Sequence, residues 1–136
     1  SNAILNRTIA KLNMGLTPAF EELLDGSLDN LNIKKLFAAA KKEDEIALEV
    51  LRETAEYLGF GLAGVVNLFN PEIVVIGGGV ADGGTDFIDQ VAAVIKKYAF
   101  EPATANLRVS RATLGNDAGF IGAGILGEAI VNANNR

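Results

Sequence analysis

The stretch "IVVIGGGVADGG", residues 73–84, places four β-branched residues directly before three consecutive glycines. Isoleucine and valine favour extended backbone, so residues 72–76 are predicted to form a strand. Because apolar residues stand on both faces, we expect a central strand of a parallel sheet rather than an edge strand. Glycine has no side chain, and Gly77–Gly79 therefore allow either a tight turn or the close approach of a ligand to the backbone. Composition alone leaves these two interpretations about equally open.

A long helix is predicted immediately before this strand, from Asp44 to about Phe69. Pro71 ends it, because the residue before a proline avoids the helical region. The second half, "FGLAGVVNLF", has no polar face except Asn67, so we expect it to be buried on most sides. The glycines in and beside this half are Gly59, Gly61 and Gly64. Since each costs about 1 kcal/mol in a helix, we expect another element to pack closely against them.

Shorter helices and one further strand complete the predicted fold. On the amino-terminal side, helices are predicted for residues 4–14, 18–25 and 33–43. On the other side, a helix begins at Thr85 or Asp86, the alternating "NLRVSRAT" is predicted to be a half-buried strand, and "LGNDAGFIGAGILGEAIV" closes the chain as a helix. Helices alternating with strands in this way predict an α/β fold with a small sheet and several packing helices.

Bulk composition excludes several classes of protein. With 49% hydrophobic and 21% charged residues among 136, the chain is long and apolar enough to form one folded domain. It contains no cysteine and no histidine, which excludes a structural zinc site and fits a reducing, cytoplasmic compartment. The net charge of −5 argues against a nucleic-acid-binding surface, and no apolar run is long enough to span a membrane. Residues 1–3, "SNA", resemble the remnant of a cleaved expression tag.

A second glycine-containing junction, "LGNDAG" at residues 114–119, follows the second predicted strand. The favoured interpretation of Asn116 and Asp117 is that they cap the last helix. Parallel neighbouring strands, however, end at the same edge of a sheet, so both junctions should lie on one rim. Two such junctions together favour a ligand site more strongly than either does alone.

Charge indicates which part of a nucleotide such a rim would suit. No lysine or arginine occurs between Arg52 and Lys96, whereas a site for a triphosphate usually gathers basic residues or a metal. The glycine loop therefore suits adenosine better than phosphates. Asp82 stands where a dinucleotide fingerprint needs its third glycine, and no P-loop motif is present. Without histidine no Ser-His-Asp set can form, and the acidic run 43–45 is expected to be the solvated start of a helix.

The segments "YLGFGLAGVVNLFNPEIVVIGGGVAD", "KKYAF" and "ATLGNDAGFIGAGILG" resemble, in this order, the C-terminal half of the ROK proteins. These are bacterial sugar kinases, chiefly glucokinases, and related repressors, and they have the actin-like ATPase (ribonuclease H-like) fold. The similarity covers roughly residues 44–130. The family's phosphate-binding DxGxT loop, catalytic aspartate, sugar-binding residues and zinc motif have no counterpart in this sequence, and all normally lie upstream.

The resemblance implies that residues 4–136 form the C-terminal lobe of an ATP-dependent sugar kinase, glucokinase-like and inactive alone. The residues it places at the adenosine-binding part of the cleft, or near it, are Gly77, Gly78, Gly79, Val80, Asn116 and Asp117. No catalytic or metal-binding residue is expected in this chain. ATP, Mg²⁺ and the sugar would act in the complete protein, the sugar through the upstream lobe, and a homodimer is possible. The alternative is the effector-sensing lobe of a ROK repressor: an upstream DxGxT loop would indicate a kinase, and an upstream winged helix a repressor.

Overall fold

The computed structural model describes residues 2–134, apart from the side chains of Asp82, Asn116, Ala118 and residues 128–134. Helices and two strands alternate along the described chain in the predicted order. The helices are α1 (Asn2–Leu12), α2 (Pro18–Leu24), α3 (Ile33–Lys41), α4 (Glu45–Phe69), α5 (Thr85–Tyr98), α6 (Glu101–Thr104) and α7 (Ala118–Asn134). The strands are β1 (Ile73–Ile76) and β2 (Arg108–Arg111). The short α6 is the one α-helix in this set that the sequence pattern did not predict.

Side-chain caps fix where two of the helices begin. The Asn32 side chain accepts a hydrogen bond from the backbone N–H of Lys35 at 3.0 Å, at the start of α3. Asp44 caps α4 in the same way, accepting from the N–H of Ala47 at 2.9 Å. Such caps satisfy backbone donors that a helix leaves without partners in its first turn.

Asp44 also joins two helices, which the sequence did not indicate. Its carboxylate accepts a second hydrogen bond from the hydroxyl of Thr17, the residue before α2. The residue is only 7% exposed. The expectation that the acidic run 43–45 is solvated is therefore wrong for Asp44, because this carboxylate is used to hold α2 against the start of α4.

The two strands form a parallel sheet in which Ile73 pairs with Arg108 and Ile76 with Arg111. The parallel arrangement predicted for β1 is confirmed. Its predicted central position is not, because in the described chain β1 has one neighbouring strand, and Val75 is 56% exposed. An apolar strand sequence shows that both faces favour burial, but it does not show whether the same chain supplies the covering elements.

The core lies where α2, α3, α4 and α5 meet. Its fully buried side chains include Phe20, Leu24, Leu36, Val50, Val66, Val91 and Ile95. Helix α4 packs most extensively against α5. At their crossing a Cβ on Gly59 would lie 2.5 Å from the Cβ of Val94, far inside normal contact. Gly59 is therefore required by the close approach of two helices, as predicted.

The outer face of α4 differs from the prediction. Ala63 and Val66 are buried, but Phe60 is 64% and Leu68 76% exposed, so the second half of α4 buries one face rather than most of its circumference. A Cβ on Gly61 or Gly64 would meet no described atom within 4 Å. The expectation of a close neighbour at these two glycines is wrong for this chain, because an all-apolar helix does not indicate which side its neighbours occupy.

Candidate functional site

The two glycine-containing junctions meet at one edge of the sheet. Ile76 and Arg111 form the last pair of the parallel register, and the backbone N–H of Ala112 donates to the carbonyl of Ile76 at 2.8 Å. A Cβ on Gly77 would lie 3.4 Å from the Cβ of Ala112. The predicted juxtaposition is confirmed, and we call residues 77–80 together with 112–117 the glycine rim.

Gly78 and Gly79 differ in why they are glycines. Gly78 has φ 75° and ψ −170°, a conformation that side chains disfavour, and its carbonyl accepts from the N–H of Ala81 at 3.0 Å. The turn interpretation therefore holds for Gly78. Gly79 has no such backbone constraint, and a Cβ there would approach only the Ile33 side chain, at 3.9–4.0 Å. Among the described residues, no contact therefore requires a glycine at this position of the rim.

The second junction forms a single 3₁₀ turn, Gly115–Asp117, before α7 begins. The N–H of Asp117 donates to the carbonyl of Leu114 at 3.1 Å. The side chain of Asn116 lies outside the described residues, so its predicted role stays a prediction. A cavity of about 350 Å³ opens here, lined by Arg111, Ala112, Thr113 and Gly115.

Val80 borders a different cavity, on the side of the glycine loop that faces α1 and α4. This Val80 pocket measures about 360 Å³. It is lined by Ala3, Ile4, Arg7, Thr54, Tyr57, Leu58 and Val80. Most of these side chains are apolar, and Val80 itself also packs against the hydrophobic core. The pocket therefore connects the rim to α1, a helix for which the sequence suggested no role.

Ion pairs hold α1 along α4 beside this pocket. The Arg7 guanidinium lies 4.8 Å from the centre of the Tyr57 ring, and its Nε is 3.6 Å from the Glu53 carboxylate. Lys11 Nζ lies 2.8 Å from Glu49 and 3.3 Å from Glu53. The hydrogen bond to Glu49 is the main cause that raises the pKa of Lys11, and the same bond lowers the pKa of Glu49. Both shifts favour the charged forms that join the two helices.

The sequence argument about charge did not take account of two arginines that lie near the rim. That argument used the interval from Arg52 to Lys96, but folding brings Arg7 to the Val80 pocket and Arg111 to the end of β2. The place of Arg111 could have been anticipated, since it falls near the end of a predicted parallel strand. Arg7 gave no such signal, because its contacts lie about fifty residues away in sequence.

The described side chains include no group of three or more acidic residues that could hold a metal ion. None of the described helices is long and apolar enough to cross a membrane.

A sequence profile of the ROK family matches residues 14–130. The chain belongs to this family. Among curated relatives, the glucokinase of Halalkalibacterium halodurans is 42% identical over 71% of this chain, and that of Streptomyces coelicolor is 34% identical over 84%. The N-acetylglucosamine repressor of Escherichia coli O157:H7 is 30% identical over 77% of the chain. The chain spans about a third of the two glucokinases, 29% and 38% of their lengths.

Solved structures support the same assignment. A ROK family glucokinase from Streptomyces griseus, in complex with glucose and AMPPNP, is 30% identical and superposes with a TM-score of 0.76. The match covers 92% of this chain and 41% of that protein. A ROK family transcriptional regulator, homologous to the Escherichia coli MLC protein, gives a TM-score of 0.71 at 25% identity. The predicted fold class is confirmed: the chain is a helix-rich α/β unit of the kind found in ROK sugar kinases, which have the actin-like ATPase fold.

Proposed function

We propose that this chain is the C-terminal lobe of an ATP-dependent sugar kinase of the glucokinase type, and that its glycine rim binds the adenosine of ATP. Support comes from the 42% identity to a glucokinase and from the structural similarity to a glucokinase solved with AMPPNP. The coverage of about a third of the curated glucokinases fits one lobe of a larger protein.

The main support for adenosine binding at the rim is the position and surroundings of Gly79. Ligands of open parallel sheets bind outside the carboxyl ends of the strands, where β1 and β2 end together. At this edge Gly79 is half-buried, and no contact with a described residue requires it to lack a side chain. The residues present therefore fit a nucleoside lying against the loop, with Gly78 providing the turn that presents it.

The catalytic groups would come from the rest of the protein. Phosphoryl transfer needs donors around the γ-phosphate, a metal and a base held in one place. The chain has no histidine, and its described side chains form no acidic cluster suited to Mg²⁺. We therefore assign no step of the reaction to a metal held by this chain, and we propose that the sugar and Mg²⁺ bind mainly through the upstream lobe.

Exposed apolar surface also supports a larger protein. The outer face of α4, with Phe60, Val65 and Leu68, is exposed together with Ile73 and Val75 of β1. Exposed large apolar side chains in this number are typical of faces that are covered in a complete assembly. We propose that the upstream lobe covers at least part of it.

Because ATP is the proposed phosphoryl donor, we also propose that the complete protein is cytoplasmic. The expectation of a homodimer stays a prediction.

A regulatory role is the second candidate, since xylose and N-acetylglucosamine repressors are relatives at 30% identity. Both the kinase and the repressor hypotheses predict the same lobe fold. The higher identity to glucokinases favours the kinase, and the repressor hypothesis gives no reason for bare backbone at Gly79.

A coupled assay of ADP release tests the proposal. The isolated chain and the full-length polypeptide that contains it are each incubated with ATP, Mg²⁺ and a panel of hexoses including glucose. We expect sugar-dependent ADP release from the full-length polypeptide and none from the isolated chain. Turnover by the isolated chain would contradict the lobe assignment. A full-length polypeptide that binds an operator DNA but releases no ADP would indicate the repressor instead.

A further inference from the structure

The glycine loop, residues 77–84, lies on one face of α3. Its 3₁₀ helix, Gly79–Gly83, packs against α3. A Cβ on Gly79 would contact the Ile33 side chain at 3.9 Å, and a Cβ on Gly83 would overlap the ring of Phe37. Ile33 and Phe37 are four residues apart and therefore lie on the same side of α3. Together they support the two ends of the 3₁₀ helix.

We propose that Phe37 is a positioning residue for ATP binding. Its ring fixes the loop at Gly83, and the loop in turn fixes where the backbone of Gly79 meets adenosine. The inference rests on the proposed function, since it presumes a nucleotide at the glycine rim. It gives α3, which is not part of the rim, a role that does not require contact with the nucleotide.

Packing rather than backbone conformation explains Gly83. Gly78 and Gly84, which flank the 3₁₀ helix, have φ angles of 75° and 81°, whereas the φ of Gly83 is not positive. An alanine would therefore adopt the backbone of Gly83 without strain, but its methyl group would overlap the Cε1 and Cζ atoms of Phe37. Either the ring or the loop must then move.

The Phe37 ring is held in place by a second helix. It is 8% exposed and meets the ring of Phe87, on α5, edge-to-face with the ring centroids 5.8 Å apart. Such pairs are favourable beyond the apolar area that they bury, and closely packed side chains transmit a displacement to their neighbours. We therefore expect the loop to move when a methyl group is added at Gly83.

A cavity of about 180 Å³ lies beside this contact, lined in part by Phe37, Gly83, Phe87 and Gln90. Shortening Phe37 to leucine would enlarge it on the side of Gly83. The loop would then lose support, but space would open for a methyl group at Gly83. The two substitutions should therefore compensate each other instead of adding, as residues in direct contact do.

Titrations of the full-length polypeptide with ATP and with sugar test the inference, at a temperature where every variant is folded. Gly83→Ala should weaken ATP binding by about tenfold or more, because a displacement of about 1 Å at a functional site can have such a cost. Phe37→Leu should weaken it by a smaller factor. The double variant Phe37→Leu/Gly83→Ala should bind ATP more tightly than Gly83→Ala does. Sugar affinity should be unchanged in all three.

Phe20→Leu is the matched control. Phe20 is a fully buried aromatic residue on α2, and none of its atoms is among the nearest neighbours of a Cβ placed on any glycine of the loop. The control should lower the melting temperature and leave ATP affinity unchanged. A merely structural role of Phe37 predicts the same result for Phe37→Leu.

The outcomes separate the inference from the proposed function. If the wild-type polypeptide binds no ATP, the proposed function fails, and the inference fails with it. If Gly79→Ala loses ATP binding while Gly83→Ala binds as wild type does, the rim proposal stands and the positioning role of Phe37 is refuted. A double variant that binds ATP no better than Gly83→Ala, or a control that loses as much ATP affinity as Phe37→Leu, would also refute that role.

Discussion

Gly59 in the crossing of α4 and α5 and Gly79 at the rim are both glycines without an unusual backbone conformation, yet their surroundings differ completely. A Cβ on Gly59 would lie 2.5 Å from the Cβ of Val94 and 3.0 Å from the Val91 carbonyl. A Cβ on Gly79 would meet nothing closer than 3.9 Å. Packing explains the first glycine, whereas no contact with a described residue explains the second. A glycine that the fold does not need is therefore the better indicator of a ligand.

Gly61 limits this comparison, because a Cβ there would meet no described atom within 4 Å, whereas a Cβ on Gly79 would be in ordinary contact with Ile33. It lies on the exposed apolar face of α4, away from the ends of the strands, whereas Gly79 lies where two parallel strands end together. In both cases no described contact requires the glycine, which suggests a neighbour that the described residues do not supply. The position in the fold decides whether that neighbour is a ligand or another part of the protein.

Gly59→Leu should have the largest effect. Val94 and the Val91 carbonyl leave no room for the side chain, so overpacking should lower the free energy of unfolding of the isolated chain by roughly 3 kcal/mol or more. Urea denaturation followed by circular dichroism measures this. The double variant Gly59→Ala/Val94→Ala should recover part of the stability lost in Gly59→Ala. Equal stability of Gly59→Leu and wild type would mean that the crossing is looser than described.

Gly78→Val should come next. Because its φ of 75° is unfavourable for a β-branched residue, we expect a loss of about 1–3 kcal/mol in the free energy of unfolding. The melting temperature should fall, and binding of sugar and ATP by the full-length polypeptide should weaken together. A variant that melts normally but loses only ATP binding would show that the loop can adopt another conformation.

Gly61→Ala should have a smaller effect with the opposite sign. In the isolated chain the added methyl meets no described atom, so improved helix propensity should stabilise α4 by roughly 0.5–1 kcal/mol. In the full-length polypeptide the same change should be destabilising if the upstream lobe lies against this face. Stabilisation of equal size in both proteins would indicate that this part of α4 is exposed in the complete protein.

The ion pair between α1 and α4 should give the smallest effect, as a pH dependence. Lys11 lowers the pKa of Glu49 below its ordinary 4.5, so the stabilisation is complete above that value and is lost as the pH falls through the lowered pKa. Between pH 7 and pH 3 the melting temperature of Lys11→Met should therefore fall less than that of wild type. Lys34→Met, which removes a positive charge elsewhere, should follow wild type. Identical curves for Lys11→Met and wild type would show that the pair contributes nothing to stability.

Local signals in the sequence predicted the elements well and their surroundings less well. The β-branched run before Gly77 and the proline after Asn70 define β1 and the end of α4, because these effects act within a few residues. The burial of α4 and the charge around the rim depend on residues distant in sequence. Arg7, which lies beside Tyr57, could not be placed by any local pattern. Half of the candidate site was therefore predictable, namely the part built from strand ends.

Calorimetric titration of ATP into Gly79→Ala tests the central claim most directly. The full-length polypeptide is compared with Gly61→Ala, which adds the same methyl group at an open glycine away from the rim. We predict ATP binding at least about tenfold weaker in Gly79→Ala, as expected when a methyl group intrudes on a closely packed ligand, with sugar affinity and melting temperature unchanged. Gly61→Ala should bind ATP as wild type does, whatever its effect on the melting temperature of the full-length polypeptide. Unchanged ATP affinity in Gly79→Ala would contradict the account, since adenosine could not then lie against this loop.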